Sequence, residues 1–252
     1  MSGSLLVIGL GPGAPEQMTP AARQAIEAAD AILGYTTYLR LIAELAPGTP
    51  REESGMGQEL QRVNRAIDLA KAGRRVALVS GGDAGIYGMA GLVYEVLRQR
   101  GERVTVKVVP GVPALAAAAA LLGAPLMNDF AAINLSDRLT PLEEILRRLE
   151  MAVQADFVLC LYNPQGRNRV EPFRLACEIL ARHRSPETPV GIVRHAYRTG
   201  QRVKLITLAG LPQAEVDMAT IVIVGNSCTF VYEGKMVTPR GYAAKYALGE
   251  TR

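Results

Sequence analysis

Short apolar runs alternate with amphipathic stretches along most of this chain. The runs have the length and β-branched content of strands, and the stretches between them place apolar residues at helical spacing. Strands that alternate with helices indicate an α/β protein with a mostly parallel sheet in the first half. The predicted strands cover residues 5–8, 31–33, 75–80, 104–109, 131–135, 156–162, 190–194, 203–207, 220–224 and 229–233.

Several predicted helix ends carry capping residues. Thr19 followed by Pro20 is an N-cap with proline at the first helical position. Thr140 and Glu143 have the spacing of a capping box. Gly73 and Gly101 follow two helical stretches, at the place where a helix C-terminus favours glycine.

The second half of the chain has a different order of elements. The predicted strands at 203–207, 220–224 and 229–233 follow one another closely, and GNSC alone joins the last two. Connections this short favour an antiparallel or mixed arrangement. We therefore predict two α/β domains, residues 1–130 with a mostly parallel sheet and residues 131–252 with a mixed sheet.

The composition is that of a soluble globular protein without a nucleic-acid partner. Hydrophobic residues make up 49% of the 252 residues, and charged residues make up 21%. The net charge of +4 is spread along the chain, and no Lys/Arg-rich block or aromatic-interleaved basic stripe occurs. The small positive excess suits an anionic small-molecule ligand.

Cysteine usage and the longest uncharged stretch predict a cytoplasmic protein with no membrane span. Cys160, Cys177 and Cys228 are far apart and form no C-x-x-C pair, which disfavours disulfide scaffolds and zinc ribbons. Residues 108–128 are uncharged, but prolines and glycine interrupt them and alanine dominates them. The early run LLVIGL has neither the length nor the basic flank of a signal peptide. No metal site is predicted.

The first glycine-rich turn, Gly9-x-Gly11-x-x-Ala14, matches the form of a dinucleotide-binding loop. Its context disfavours that interpretation. Pro12 removes a backbone donor, and the next helix starts late, at Thr19-Pro20. Asp30 precedes the next strand, whereas a ribose-binding acid follows one.

Two further turns of the first domain have the same small-residue composition. SGGDAGIYG follows the strand at 75–80, and PGVPA follows the strand at 104–109. In open α/β sheets such turns lie at the carboxyl ends of the strands, where ligands bind. Small side chains let the backbone approach a ligand closely. Three such turns in one half of the chain predict a binding cleft.

Together these segments resemble the tetrapyrrole methyltransferases, which use S-adenosyl-L-methionine without a Rossmann-type methyltransferase fold. GLGPGAPEQMTPAARQAIEAADAILGY is similar to the N-terminal signature of that family, and SGGDAGIYG to its Gly-Asp cofactor loop. NLSDRLTP, LYNPQGRNR, VDMATIVIVGNS and MVTPRGY look most like the precorrin-3B C17-methyltransferases of cobalamin biosynthesis. The resemblance covers nearly the whole chain.

The resemblance implies a homodimer of two-domain subunits with S-adenosyl-L-methionine bound in the cleft between the domains. It implies methylation of a precorrin macrocycle at C17 with ring contraction, on precorrin-3B or cobalt-factor III. Carried over by matching motif, the predicted cofactor-binding residues are Pro12, Gly81, Gly82, Asp83, Ile86, Pro113, Ala114, Asn163 and Ala196.

Two positions in the segments that carry the resemblance depart from the family pattern. Ala84 stands where the family usually has proline, which loosens the second loop. Pro113 stands where serine or threonine is common, so no side-chain hydrogen bond is available from that position. For Asp83, a contact with the cofactor and an Asx turn within its own loop both stay open.

Arginines are the predicted substrate contacts, because the macrocycle would carry several acetate and propionate carboxylates. The guanidinium fork matches carboxylate geometry. For each arginine alone, a solvated surface charge is the competing interpretation. Among the candidates, the arginines of the flexible segment NPQGRNR are favoured as substrate contacts. The candidates are Arg138, Arg167, Arg169, Arg194 and Arg198, with Arg240 added by motif only.

No strong acid–base pair stands out in the sequence, and methyl transfer from a sulfonium needs chiefly orientation and a desolvated approach. His195 is a weak candidate for a general base, because imidazole titrates near neutrality but the family more often has asparagine there. Cys160 and Cys177 are interpreted as core residues.

Three other functions stay open. The nearest is another tetrapyrrole methyltransferase, such as a uroporphyrinogen-III methyltransferase, which only the second-domain motifs separate. An NAD(P)-dependent oxidoreductase is suggested by the opening glycines. A non-catalytic protein that binds a small anion is the third.

Overall fold

Five parallel strands form the sheet of the N-terminal unit in the computed structural model, which describes residues 3–246. The elements of this unit are β1 (Ser4–Gly9), a 3-10 turn (Pro15–Gln17), α1 (Pro20–Glu27), β2 (Ala31–Tyr35), α2 (Thr36–Leu41), β3 (Arg51–Ser54), α3 (Glu59–Lys71), β4 (Arg75–Ser80), α4 (Ala90–Arg100) and β5 (Thr105–Val109). The strands lie in the order β3-β2-β4-β1-β5, and all neighbouring pairs are parallel. The mostly parallel sheet predicted for the first half is confirmed.

Helices cover both faces of this sheet, which is why its central strands are apolar at nearly every position. On one face, α3 and α4 pack through Val63, Ile67 and Val93. On the other face, α1 packs through Ala22 and Ile26. The helices that follow the neighbouring strands β1 and β4 therefore lie on opposite faces.

The C-terminal unit contains a mixed five-stranded sheet and a small three-stranded sheet. Its elements are α5 (Ala114–Leu122), β6 (Gly123–Ala124), β7 (Phe130–Asn134), α6 (Leu142–Gln154), β8 (Val158–Tyr162), α7 (Glu171–His183), β9 (Pro189–Arg194), β10 (Arg202–Thr207), a 3-10 helix (Leu208–Gln213), β11 (Thr220–Val224), β12 (Phe230–Tyr232), β13 (Lys235–Val237) and α8 (Tyr242–Lys245). The large sheet has the order β10-β9-β11-β8-β7, with only β7 and β8 parallel. The predicted mixed sheet is confirmed.

The two faces of the mixed sheet are packed differently. On one face, α6, α7 and the 3-10 helix bury Leu149, Leu180 and Leu211 in a single core. On the other face, Gly191 of β9 lies against Leu122 of α5, so closely that a Cβ at residue 191 would be 2.3 Å from the leucine Cδ1. Glycine at this position is what lets α5 approach the sheet.

One predicted strand arrangement is wrong. The segments at 220–224 and 229–233 do not belong to one sheet, because β11 lies between β9 and β8, whereas β12 pairs with β13. Glu233 and Gly234 both have positive φ, 45° and 71°, which is the conformation of a tight hairpin turn. This turn gives β12 a partner of its own.

Three short strands were not predicted at all, namely β3, β6 and β13. The sequence of β3 is REES, and β3 is an edge strand. Charged edge strands carry no apolar pattern, because the charges protect an exposed edge. The other two are only two and three residues long, too short for a periodic signal.

The predicted helix ends are confirmed at three places and wrong at one. The Thr19 hydroxyl accepts from the backbone N–H of Ala22, and Gly73 and Gly101 have φ of 90° and 64°. The capping box at residues 140–143 is not formed. Pro141 is the N-cap with ψ 138° and the helix begins one residue later, so Thr140 lies outside the cap.

The two compact units divide between Ala114 and Leu115, whereas the predicted first domain extends to residue 130. The reason lies in the packing of the intervening segment. Leu122 contacts Gly191, and β6 pairs with β13, so α5 and β6 pack with the C-terminal unit. The predicted alanine-rich helix is α5, and none of the helices within residues 3–246 is long and apolar enough to cross a membrane.

We expect Gly191→Ala to lower the free energy of unfolding by about 1–3 kcal/mol, because the new methyl group overpacks the contact with Leu122. Gly91→Ala is the control, since a Cβ at Gly91, the second residue of α4, would meet nothing within 4 Å and alanine favours helix. Calorimetric unfolding of both variants makes the comparison. Shortening Leu122 to alanine should offset part of the Gly191→Ala loss, and strict additivity would contradict the packing argument.

Candidate functional site

The turns that follow β1, β4 and β5 meet at the carboxyl edge of the parallel sheet. Gly11 and Gly82 exchange two backbone hydrogen bonds, 3.0 Å from Gly11 N to Gly82 O and 2.8 Å from Gly82 N to Gly11 O. Because the helices after β1 and β4 lie on opposite faces, this is the point of an open α/β sheet where a crevice forms. The three predicted small-residue turns thus lie together in the N-terminal unit.

Glycine is required where these turns touch. A Cβ at Gly9 would be 2.6 Å from Gly82 O and 2.8 Å from Gly111 N. A Cβ at Gly111 would be 2.3 Å from the same carbonyl oxygen. No side chain fits at either position, and the surface of this edge is therefore built from peptide groups.

Asp83 ties two of the turns together through its carboxylate. Its Oδ1 accepts from Gly85 N at 2.8 Å, which closes an Asx turn. Its Oδ2 accepts from Gly111 N at 3.0 Å, in the turn after β5. Of the two roles left open by the sequence, the structure shows the Asx turn and adds the link to Gly111.

The third turn is also fixed to the start of α1. The Thr19 hydroxyl donates to Pro110 O at 3.2 Å while it caps the helix through Ala22 N at 3.1 Å. Sequence reasoning found the cap but missed this second bond. The bond joins the turn after β5 to the helix that follows β1.

The other predicted cofactor residues of the N-terminal unit occupy the same edge in different settings. Pro12 is buried, and Pro113 and Ala114 follow the turn after β5. A Cβ at Gly81 would be 2.5 Å from the Tyr38 ring. Ile86 is 39% exposed, which leaves apolar surface on the loop after β4.

The geometry around the first turn does not suit a dinucleotide. The helix α1 begins at Pro20, after a 3-10 turn, so its N-terminus does not follow the glycines directly. Asp30 lies at the amino end of β2, where its Oδ2 accepts from Arg75 N at 2.7 Å. The acid that would bind a ribose is therefore used at the opposite edge of the sheet.

In the C-terminal unit, all five arginines of the predicted substrate set lie at one edge of the mixed sheet. Since β9 and β8 are both antiparallel to β11, and β7 is parallel to β8, the carboxyl ends of β7, β8 and β9 meet there. The arginines lie on or just after these strand ends and are Arg138, Arg167, Arg169, Arg194 and Arg198.

Arg169 uses its guanidinium within the protein. Its Nη1 donates to Leu135 O at 2.6 Å, and its Nη2 donates to Asn163 O at 2.7 Å. Burial lowers the pKa of Arg169, and Asp137, 3.9 Å away, opposes that shift. The predicted substrate contact is therefore a brace between the turns after β7 and β8.

Arg194 is also paired within the protein. Its Nε donates to Asp217 Oδ2 at 2.7 Å. Burial acts to raise the pKa of Asp217, but hydrogen bonds from Thr220, Ala219 and Arg194 outweigh it and lower the pKa. Arg138 and Arg167, by contrast, are exposed.

Asn163 has a left-handed backbone conformation directly after β8. Its φ is +49°, and its side-chain amide donates to Asn134 Oδ1 at 3.0 Å. The adjacent Tyr162 hydroxyl accepts from Leu115 N, also at 3.0 Å. Sequence reasoning singled out Asn163 and missed both partners, for which residue type and spacing carry no signal.

Ala196 lies between two residues with left-handed backbone. His195 and Tyr197 have φ of 51° and 55°. Non-glycine residues in this region carry strain, and such strain collects at functional sites. The structure gives His195 no proton-transfer partner among the described residues, and its catalytic role stays a prediction.

The remaining candidates are one arginine and three cysteines. Arg240 is exposed and follows β13. Cys160 and Cys177 are buried, as predicted, and burial raises the pKa of each thiol to about 12. Cys228 is exposed. Across residues 3–246, no three or more His, Cys, Asp or Glu side chains are grouped to hold a metal ion.

Comparison with known proteins finds related sequences along nearly the whole chain. Residues 4–212 match the family described as Tetrapyrrole (Corrin/Porphyrin) Methylases. A cobalt-factor III methyltransferase of Priestia megaterium is 48% identical over 100% of this chain and 47% of its own length, so the chain spans about half of that relative. A probable cobalt-factor III C(17)-methyltransferase of Salmonella typhimurium is 48% identical over 94% of this chain and 99% of its own length.

Solved structures agree with the fold. The crystal structure of the methyltransferase CobJ has a TM-score of 0.87 and 36% identity, covering 94% of this chain and 100% of its own. A uroporphyrin-III C-methyl transferase from Thermus thermophilus, complexed with S-adenyl homocysteine, has a TM-score of 0.71 and 26% identity. It covers 88% of this chain and 97% of its own.

We expect Arg169→Met to destabilise the C-terminal unit by about 2 kcal/mol or more, because two backbone carbonyls lose a charged donor. Arg167→Met, two positions away and exposed, is the matched control and should stay within about 0.5 kcal/mol of the parent. Urea unfolding measures both. Equal losses in the two variants would show that Arg169 is not a brace.

Proposed function

Because the chain belongs to the tetrapyrrole (corrin/porphyrin) methylase family, we propose that it methylates a precorrin macrocycle at C17 in cobalamin biosynthesis. The methyl donor is S-adenosyl-L-methionine, and the substrate is precorrin-3B or cobalt-factor III, with ring contraction coupled to the transfer. The observation that carries this proposal is the end-to-end likeness to a relative named for C(17) methylation.

The residues of the N-terminal unit fit such a cofactor. The cofactor-binding candidates there are Pro12, Gly81, Gly82, Asp83, Ile86, Pro113 and Ala114. The edge is built from backbone that admits no Cβ at Gly9 or Gly111, so peptide N–H and C=O groups lie close to any ligand. Exposed Ile86 adds apolar contact. A molecule with an amino-acid part and a nucleoside part needs this combination of polar backbone and small apolar surface.

The arginine edge of the C-terminal unit supports an anionic macrocycle as substrate. Arg169 and Arg194 are engaged within the protein. The exposed guanidinium groups of Arg138 and Arg167 are therefore the best candidates for substrate carboxylates, and Arg198, in the loop after β9, is a further candidate. Asn163 and Ala196, the remaining cofactor candidates, lie at this same edge.

The cofactor, when bound, supplies an electrophilic methyl group on a sulfonium. The chain contributes position and exclusion of water, which are the main requirements of an in-line transfer. Backbone groups held in place by the Gly11–Gly82 pair and by Asp83 orient the donor. His195 is the candidate for a proton acceptor during ring contraction.

Four properties stay predictions of the resemblance and the composition. They are the position of the cofactor in a cleft between the domains, a homodimeric assembly, a cytoplasmic location and the lack of a nucleic-acid partner. Analytical ultracentrifugation of the purified chain tests the homodimer directly.

Binding and turnover test the function. S-adenosylhomocysteine should bind with one site per chain in calorimetry, and NADH should not bind. Incubation with labelled S-adenosylmethionine and either precorrin-3B or cobalt-factor III should then place one labelled methyl group on the macrocycle. Binding of NADH without binding of S-adenosylhomocysteine would contradict the proposal. Labelling of uroporphyrinogen-III instead of the precorrin would show that the chain is a uroporphyrinogen-III methyltransferase.

Asp83→Ala should weaken S-adenosylhomocysteine binding by about tenfold, because the turns after β4 and β5 lose their shared anchor. The fold should be retained. Glu95→Ala, an exposed carboxylate of α4, is the control with the same change of charge. Unchanged affinity in Asp83→Ala would mean that the hydrogen bonds of Asp83 to Gly85 and Gly111 do not contribute to cofactor binding.

A further inference from the structure

A cavity of about 470 Å³ opens in the C-terminal unit beside the edge strand β10. Strands β9 and β10 form one part of its wall, and residues 214–217 before β11 form another. The volume lies within the range of small-molecule sites. Its polar lining consists of Gln165, Arg194, Arg202, Lys204, Glu215 and Asp217.

The strand register gathers three cations in this wall. Arg202 lies directly opposite Arg194, and Lys204 lies directly opposite Ile192. Directly opposite residues share a face of the sheet, and alternate residues of one strand do so too. Two guanidinium groups face to face across a strand pair repel each other unless an anion lies between them.

Among residues 3–246, Arg194 is the one of these three cations that has such an anion. Its Nε donates to Asp217 Oδ2 at 2.7 Å, and Asp217 is further held by Ala219 N and the Thr220 hydroxyl. The side chains of Arg202 and Lys204 make no hydrogen bond or ion pair with any residue in the range 3–246. With three cations against two carboxylates, the lining keeps a positive excess.

The cavity belongs to one face of the mixed sheet. It lies on the face of the mixed sheet that carries the helical core, since Ile192 belongs to that core. The opposite face of β9 is packed against Leu122 at Gly191. Arg194 is the one predicted ligand residue that lines the cavity.

The geometry points to a binding site for a small carboxylate-bearing anion, held by Arg202 and Lys204 in the cavity between β10 and residues 214–217. Guanidinium and ammonium groups both form charge-assisted hydrogen bonds with carboxylate oxygens. The carboxylate has two sources, a free di- or tricarboxylic acid or a peripheral side chain of the macrocycle. In the second case the inference rests on the proposed function.

Edge protection is the competing explanation for charges on β10. Lysine and arginine on an edge strand prevent pairing with another sheet. That role requires exposure only, and it would be met by cations on either face of the strand. It accounts neither for the cross-strand pairing of Arg202 with Arg194 nor for the cavity beside them.

Citrate is the probe for the free site, titrated calorimetrically at low ionic strength. The parent protein should bind citrate saturably at one site per chain. The double variant Arg202→Gln, Lys204→Gln should bind it at least tenfold more weakly, because two charge-assisted contacts are lost. The control Arg147→Gln, Lys235→Gln removes two exposed, unpaired cations of the same unit and should leave the affinity within about twofold.

Three results would overturn the site. They are no saturable citrate binding by the parent, equal affinity in the double variant, and an equal loss of affinity in the control. The second result would leave edge protection as the role of the two cations, and the third would attribute citrate binding to net charge. Saturating S-adenosylhomocysteine should not displace citrate. Displacement would place the anion in the cofactor site instead.

Kinetics with the macrocycle separate the two sources. If the double variant raises KM several-fold and keeps kcat, the bound carboxylate is one of the macrocycle's own. If both parameters stay at parent values while citrate binding is lost, the site takes a free carboxylic acid. A parent protein that binds citrate but transfers no methyl group would refute the proposed function and leave the site standing.

Discussion

Gly11 and Gly82 exchange two backbone hydrogen bonds between the turns that follow β1 and β4, and Gly111 packs against both turns. Glycine is required at Gly9 and Gly111 in this contact, because a Cβ there would come within 2.3–2.8 Å of backbone atoms. The contact also brings the turn after β5 within reach of the Asp83 carboxylate. The close approach of these turns in the N-terminal unit therefore depends on the absence of side chains at Gly9 and Gly111.

The C-terminal unit, by contrast, holds many cationic side chains at one edge of its sheet. Arg169 donates hydrogen bonds to two backbone carbonyls, and Arg194 pairs with the Asp217 carboxylate. These arginines stiffen the turns that carry Asn163 and Ala196. The exposed cations Arg138, Arg167, Arg202 and Lys204 then supply the positive charge that faces solvent. Because some cations are paired within the protein and others are exposed, the same edge is both rigid and attractive to carboxylates.

Nine of the ten strands in the two large sheets could be predicted from the sequence, because each of the nine contains an apolar run. The same reasoning missed β3, whose four residues include three charges, and it misplaced β12. The Thr140–Glu143 capping box failed for a related reason. The residue types match the motif, but Pro141 has an extended ψ and is itself the N-cap, so Thr140 lies outside the helix cap. A motif of a few residues is compatible with more than one local structure, and contacts with the rest of the chain determine which one forms.

Residue types alone determined that this protein is α/β, that its glycine turns gather at strand ends, and that the first of these turns makes a poor dinucleotide site. Late helix initiation at Pro20 and the placement of Asp30 before β2 are properties of sequence order, and folding did not change them. Which arginines are available to a ligand was decided by tertiary structure alone. Arg167 and Arg169 are two residues apart in one loop, yet one is exposed and the other is bonded to carbonyls 34 and 6 residues away. The Leu135 carbonyl belongs to the turn after another strand, so the residues around Arg169 carry no signal for this bond.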